Sequence, residues 1–333
     1  MTTDTKTAES SHLDSLVLLR GIAAALVCFC HISGALIGAD APKGILNFLL
    51  LYGKYGVHIF FVISGFVIPL SLLKGNYGIP NYFTFLYKRL LRLHPPYLLA
   101  LGLTLVIMYS SYHVRHVVFP ETVQSIIREC FYLNIPADNP VFWSLAVEAQ
   151  YYIFIGLFFW VLHKYPKLTA LALVPLLVIL CRLPVGLTLI SLFQYFLIFF
   201  LMGIVVFLIY AKIGKPLINY LVLMALIIFS LFFYDFASAI VSSATVLVIL
   251  YLKKPIPSFF GFYGKISYSL YLIHVPVGVK LINLSKRYFS SSYNFVLFLI
   301  VFGIVTLISW GFWRLIEVPS ERISRKIKYA SSK

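Results

Sequence analysis

"RGIAAALVCFCH", residues 20–31, is an apolar stretch with a permanent cation at one end and an imidazole at the other. A helix in hydrocarbon tolerates such groups only where they face the interior of a bundle or a water-filled path. Composition decides the setting. Of 333 residues, 61% are hydrophobic and 11% are charged, and the mean hydropathy is +0.94. An ordinary soluble domain carries roughly 25% charged residues. Here nearly every stretch between short polar loops is apolar and long enough to cross a bilayer. The expected fold class is therefore all-α, a polytopic transmembrane helical bundle.

About ten spans are expected, near 15–37, 57–73, 97–112, 141–163, 168–181, 188–210, 217–233, 237–252, 267–284 and 293–316. With the N-terminus cytoplasmic, inner loops and tails hold roughly two-thirds of the 27 Lys and Arg residues. That bias predicts an N-in, C-in topology. The inner runs are "LYKRLLR" at 86–92, "HKYPK" at 163–167, "KKP" at 253–255 and "ERISRKIK" at 321–328. The net charge of +16 thus reads as topology and anionic-lipid contact, and no nucleic-acid partner is expected. Ala39-Asp40-Ala41 has the form of a signal-peptide cleavage site, but the apolar core before it is too long, so the first span is read as retained. In the outer loop 113–140, "FPETVQSIIREC" has the pattern of a short amphipathic helix. Cys28 and Cys30 read as small hydrophobes. Cys130 and Cys181 both fall near the outer face, where spacing alone does not establish a disulfide. No metal-ligand spacing occurs, and no metal is expected.

Eleven residues along a helix turn through about 1100°, three turns plus roughly 20°. Arg20 and His31 therefore share one face, about 16 Å apart along the axis. Other ionisable and polar residues fall inside spans. His58 opens the second. Glu148 lies in the outer third of the fourth, with Ser144 one turn before it on the same face. His274 sits mid-way through the ninth, with Tyr271 on its stripe. His31, His58 and Glu148 are placed at one depth, where an imidazole and a carboxylate suit either a general acid/base pair or a structural hydrogen bond between helices. In the loop before the third span, Lys88, Arg89 and Arg92 cluster ahead of Pro95-Pro96, which is expected to end a helix. Paired arginines suit multidentate phosphate binding.

These residues carry a resemblance. The chain resembles the membrane-bound acyltransferase-3 family, which acylates carbohydrates and other envelope molecules. Arg20 and His31 match its Arg/Lys-x10-His pattern, "GVHIFFVISGF" (56–66) its second-span signature, and "RLLRLHPPY" (89–97) its Arg-x-x-Arg loop. "FWSLAVEAQYY" (142–152) is similar to its Ser-Leu-x-x-Glu segment, "ISYSLYLIH" (266–274) to its late Tyr/His span, and "IEVPSERISRK" (316–326) to its end. The implied organisation is a cytoplasmic tail at 1–13, a membrane domain at 14–326 and a tail at 327–333. One departure is clear: "LDSLVLLRG" puts Asp14 six positions before Arg20 rather than about three, so no role is carried over to it.

The resemblance implies an O-acetyltransferase of the cell membrane, in a bacterial plasma or inner membrane. The acyl-CoA donor, acetyl-CoA, would bind through Arg20, Arg89 and Arg92. His31 would be the catalytic base or a transient acyl carrier, with Glu148 orienting it. His58, Ser144, Tyr271 and His274 are secondary candidates. The acceptor would be a polysaccharide or a lipid-linked glycan. A transporter or flippase of lipid-linked glycans is the alternative, with the same charges lining a path. A non-catalytic scaffold is a third reading, one that would tolerate loss of His31.

The charge bias also fixes an expected topology: 74–96 and 253–266 inside, 113–140 outside. A single cysteine at position 89 in a cysteine-free variant should be protected from impermeant reagent in intact cells. Labelling from outside would overturn the orientation.

Overall fold

The computed structural model describes residues 3–37, 44–181, 188–252 and 257–330. The Ala39-Asp40-Ala41 tripeptide and the basic run at 253–255 lie outside the described residues. Helix accounts for 86% of the structure, and no strand occurs among the described residues. The reason is the solvent. Hydrocarbon offers backbone N–H and C=O groups no partner, so the chain satisfies them within each segment.

The chain begins with α1 (Thr3–Ile37), a short apolar α2 (Ile45–Tyr52), α3 (Gly56–Lys74) and the long α4 (Tyr82–Val114). The connection to α6 (Trp143–Lys164) contains α5 (Val123–Cys130). Two short pieces, α7 (Pro166–Leu168) and α8 (Val174–Leu180), precede α9 (Thr188–Tyr210), α10 (Pro216–Phe233) and α11 (Phe236–Tyr251). Next, α12 (Ser258–Ile273) passes through a π-helical segment, His274–Val279, into α13 (Lys280–Ser285). The last elements are α14 (Asn294–Phe312), a π-helical turn at Trp313–Glu317 and α15 (Val318–Lys326).

Among the described residues seven helices are long and apolar enough to cross a membrane, which makes this a multi-pass membrane protein. Three of the expected spans are not among them. The stretch 168–181 is broken into short helical pieces. The stretch 237–252 is apolar, but its helix has only 16 residues. The stretch 267–284 is helical, yet it carries Ser267, Ser269, His274 and Lys280, and Pro276 sits in its π-helical segment.

The prolines at 95 and 96 do not end a helix. Instead, α4 runs unbroken through both. Two backbone hydrogen bonds are forgone there, but in an apolar medium continuing the helix leaves fewer polar groups exposed than breaking it. Tyr268 on α12 donates to the Leu93 carbonyl at 2.8 Å, tying that stretch to its neighbour. Lys88, Arg89 and Arg92 accordingly sit on a helix, not in a loop.

Two helix pairs approach most closely, α1 with α12 and α3 with α9. Small residues permit this in membranes, where close backbone approach replaces hydrophobic drive. A Cβ at Gly203 would lie 2.1 Å from the Val62 carbonyl oxygen, and one at Gly65 would lie 2.2 Å from that of Phe200. Gly264 meets the Val17 carbonyl in the same way, at 2.2 Å. Beside these pairs the core is aromatic, with Tyr151 stacked on Phe200 at 4.1 Å between ring centres.

The connection before α6 folds back onto α4. Its short helix is where the amphipathic pattern placed it, and Thr122 and Ser125 cap it reciprocally. Tyr97 donates to the Glu129 carbonyl at 2.6 Å, and Asn139 donates to Thr104 at 3.1 Å. Asp138 pairs with Lys280 of α13. Burial and the neighbouring Glu121 carboxylate push the Glu129 carboxyl up to about 7. No disulfide forms among the described residues.

The α3–α9 contact generates a stability prediction. Gly65→Ala and Gly203→Ala should each destabilise the bundle by about 1–3 kcal/mol, because backbone must move to admit a methyl group. Gly102→Ala on α4, where nothing lies within 4 Å, should be neutral or gain about 0.5–1 kcal/mol. Thermal unfolding of the purified variants in one detergent checks this. Equal melting temperatures for all three would mean that the helices are not in backbone contact.

Candidate active site

A cavity opens within the bundle with an empty volume of about 940 Å³, its mouth included. Its walls bring together residues far apart in sequence: Arg20, Arg89, Arg92, Glu148, Tyr271 and Glu317. Arg20 reaches it from α1, which packs along α12. Arg89 and Arg92, three residues apart on one helix, reach it from α4, and both sit on the same face.

Both carboxylates and two of the three arginines in the cavity have close partners. Glu148 accepts from Ser64 of α3 at 3.0 Å and from Tyr152, one turn along α6, at 2.6 Å. Glu317 accepts from the Ser269 hydroxyl at 2.6 Å and from its backbone N–H at 3.2 Å. Arg89 donates to Ser71 at 2.6 Å and lies 5.5 Å from the centre of the Phe85 ring and 5.8 Å from that of Tyr152. Arg92 faces Glu321 of α15 at 3.5 Å. Arg20 experiences the fields of Glu317 and Glu148 against that of Arg92. Three guanidinium groups and two carboxylates leave the cavity with a net positive charge.

Ser144 and Tyr271 also line the cavity. Their hydroxyls meet at 2.6 Å, and both lie within reach of the Val141 carbonyl, at 3.2 and 2.8 Å. A carbonyl only accepts. One hydroxyl proton therefore goes to Val141 and the other to the Ser–Tyr contact, and neither is left to point into the cavity.

His31 is not paired with Glu148. It faces His274 instead, with Nδ1 of His31 3.4 Å from Nε2 of His274 and ring centres 5.2 Å apart. His31 Nδ1 lies 2.8 Å from the Val27 carbonyl, and His274 Nδ1 lies 3.1 Å from the Leu270 carbonyl. Each carbonyl demands an N–H, so each Nδ1 carries the proton. The one proton on His31 Nδ1 is thus shared, mainly with Val27 at 2.8 Å and more weakly with Nε2 of His274 at 3.4 Å, and Nε2 of His31 keeps a lone pair. Among the described residues no protein group bonds that atom. The pair adjoins the cavity through Tyr271, whose ring centre is 5.7 Å from that of His274.

His58 belongs elsewhere. Its Nε2 lies 3.1 Å from Ser238 of α11, which donates to Asp235 at 2.5 Å. The ring is boxed by Tyr55, Phe196 and Phe199. The expected gathering of His31, His58 and Glu148 therefore does not form. Equal depth along three helices says nothing about which way each residue faces around its axis, and the three face different neighbours. Glu317, Tyr152 and Ser64 were missed. Glu317 stands in the quoted stretch "IEVPSERISRK", and an acid at the apolar edge of a basic end was the available signal.

Comparisons with known proteins identify the family. A family model described as an acyltransferase domain, that of the acyltransferase-3 family, matches residues 13–314. Nodulation protein 10 of Rhizobium leguminosarum bv. viciae is 26% identical over 181 residues, covering 49% of this chain and 48% of that protein. The chain thus aligns with about half the length of that relative. No solved structure matches. With the family match spanning residues 13–314, which hold Arg20, Arg89, Arg92 and the His31–His274 pair, this chain belongs to the acyltransferase-3 family of membrane proteins.

Proposed function

We propose that this protein transfers an acyl group, acetyl in our reading, from cytoplasmic acyl-CoA to a hydroxyl of a cell-surface polysaccharide or its lipid-linked precursor. The observation that carries the reading is the division of labour along α1. Arg20 faces a cationic cavity, and His31 lies about 16 Å further along the same face with a bare ring nitrogen. Phosphates are drawn to the first, and a hydroxyl proton is taken by the second. On the positive-inside rule we assign the Arg89–Arg92 end to the cytoplasm of a bacterium and the His31 end to the far side of its plasma membrane.

In this scheme the phosphate-rich part of the donor sits against Arg89 and Arg92, and Arg20 lies deeper on its path. The thioester reaches the level of Tyr271 and the histidine pair. The acceptor hydroxyl gives its proton to Nε2 of His31 as its oxygen attacks the thioester carbonyl carbon. The new C–O bond forms, the C–S bond breaks, and the proton passes from His31 to the departing thiolate. His274 positions His31 by accepting from its Nδ1, so the tautomer needed for this step is the resting one. Glu148 takes a different role from the one first expected. Held by Ser64 and Tyr152, it is a fixed countercharge for the arginines.

Two sets of variants test the scheme. Arg89→Ala and Arg92→Ala should weaken acyl-CoA binding by about tenfold, the loss expected for one charge-assisted hydrogen bond, with activity partly restored by excess donor. Unrestored activity at saturating donor, with normal expression, would assign these residues a structural role. His31→Gln should lower transfer by about a hundredfold or more while leaving donor affinity close to that of the wild type. Acetyl transfer and acetyl-CoA affinity, measured at matched protein levels, read both effects. Substantial transfer by His31→Gln would remove the imidazole from the chemistry. Absence of any donor-dependent glycan labelling by the purified protein would favour the transporter reading.

A further inference from the structure

A second basin, with about 1170 Å³ of empty volume out to open solvent, adjoins the arginine cavity and shares Arg89 and Arg92 with it. Its opposite wall is the C-terminal segment. Lys88, Arg89, Arg92, Arg325 and Lys328 bring cationic groups to it, and Glu321 is the one acid on its wall. That acid lies 3.5 Å from Arg92 and 3.0 Å from Arg325. It stands where an anionic ligand would stand.

Positive-inside charge alone does not account for this. A topology signal needs charge near the membrane, but it does not need the chain carrying it to be fixed in place. Here the tail is fixed. Asn81, itself buried, accepts from the Ala330 N–H at 2.9 Å and donates to the Ala330 carbonyl at 3.2 Å. Ser324 donates to the Lys88 carbonyl at 2.8 Å, locking α15 to α4. The Tyr329 ring packs against Tyr77 and lies 4.5 Å below the Lys88 ammonium. It also fills the space over Gly75, where a Cβ would come within 2.7 Å of the ring. The family match ends at residue 314, so this wall lies beyond it.

We propose that the segment 318–330 is one half of a phosphate-binding basin, which holds the nucleotide-type, multiply phosphorylated head of the acyl donor. Its other half is the α4 cluster. The assignment rests on the acyl-CoA reading above and extends it to residues outside the matched domain. The head lies between α4 and the tail, and the slender arm passes Arg89 and Arg92 into the cavity that ends at Tyr271. Glu321 is a competitor: it neutralises Arg92 and Arg325 in the empty basin and is displaced by phosphate. Arg325 and Lys328 are exposed, so their charges can be removed without touching the packing of the tail.

The test uses the full chain in nanodiscs of neutral lipid, titrated calorimetrically with CoA and, separately, with inorganic pyrophosphate. The double variant Arg325→Gln/Lys328→Gln should weaken both ligands by about tenfold or more. Glu321→Gln should tighten both several-fold, because the competing carboxylate is gone. If CoA binds the double variant as tightly as the wild type, the tail assignment is overturned while the donor reading stands. If pyrophosphate binds in a tail-dependent way but CoA binds no more tightly than pyrophosphate, the thioester donor is wrong and this assignment of the ligand falls with it. If phosphatidylglycerol added to the disc displaces CoA from the wild type but not from the double variant, the basin belongs to a lipid headgroup, and the proposal is overturned.

Discussion

Three guanidinium groups inside a bundle built for hydrocarbon set the terms for the rest of the molecule. Arginine keeps its charge, so the protein must supply what water would have supplied. It does so with Glu148 and Glu317, each anchored by hydroxyls, and with aromatic faces under Arg89. Those partners come from α3, α6, α12 and the turn before α15. Helices far apart in the sequence are thus obliged to converge on one space. The cavity is where that obligation is met.

The histidine pair answers to a different constraint. An imidazole can act as a base only with the right nitrogen bare, and a buried ring left to itself populates both tautomers. Two backbone carbonyls, those of Val27 and Leu270, decide the matter one turn before each histidine. This is a local device. It needs only a helix and a ring that folds back on its own preceding turn. Between the pair and the arginines stand Ser144 and Tyr271, whose protons are already committed.

What could be read from residues alone divides along a physical line. Apolar length and charge bias are one-dimensional, and they gave a membrane-spanning helical bundle and the shared face of Arg20 and His31. The Arg89–Arg92 pair was legible for the same reason, since three residues apart on a helix is a statement about one element. Contacts between elements were not legible. Glu148 was matched to His31 by depth, but its true neighbours are fixed by the rotation of α6 about its axis. Pro95-Pro96 was read by the rule for water-exposed helices, and the apolar surroundings reversed it. The span count exceeded the number of long helices at 168–181, 237–252 and 267–284, where hydropathy persists but continuous apolar helix does not. Glu317 was hidden because an acid near a basic terminus looks like ordinary surface.

The backbone contact between α3 and α9 has a mechanical consequence. Side chains can rotate to make room, but two main chains pressed together through Gly65 and Gly203 cannot slide without breaking the contact along its whole length. The pair is a stator. Gly264 presses α12 against α1 in the same way, so any breathing that admits a long substrate arm to the cavity has to be taken up by α4 and α6, which bring Arg89, Arg92 and Glu148 to it. Motion in this protein is thereby directed to the helices that carry Arg89, Arg92 and Glu148, and those that carry Ser64 and Arg20 serve as its reference frame.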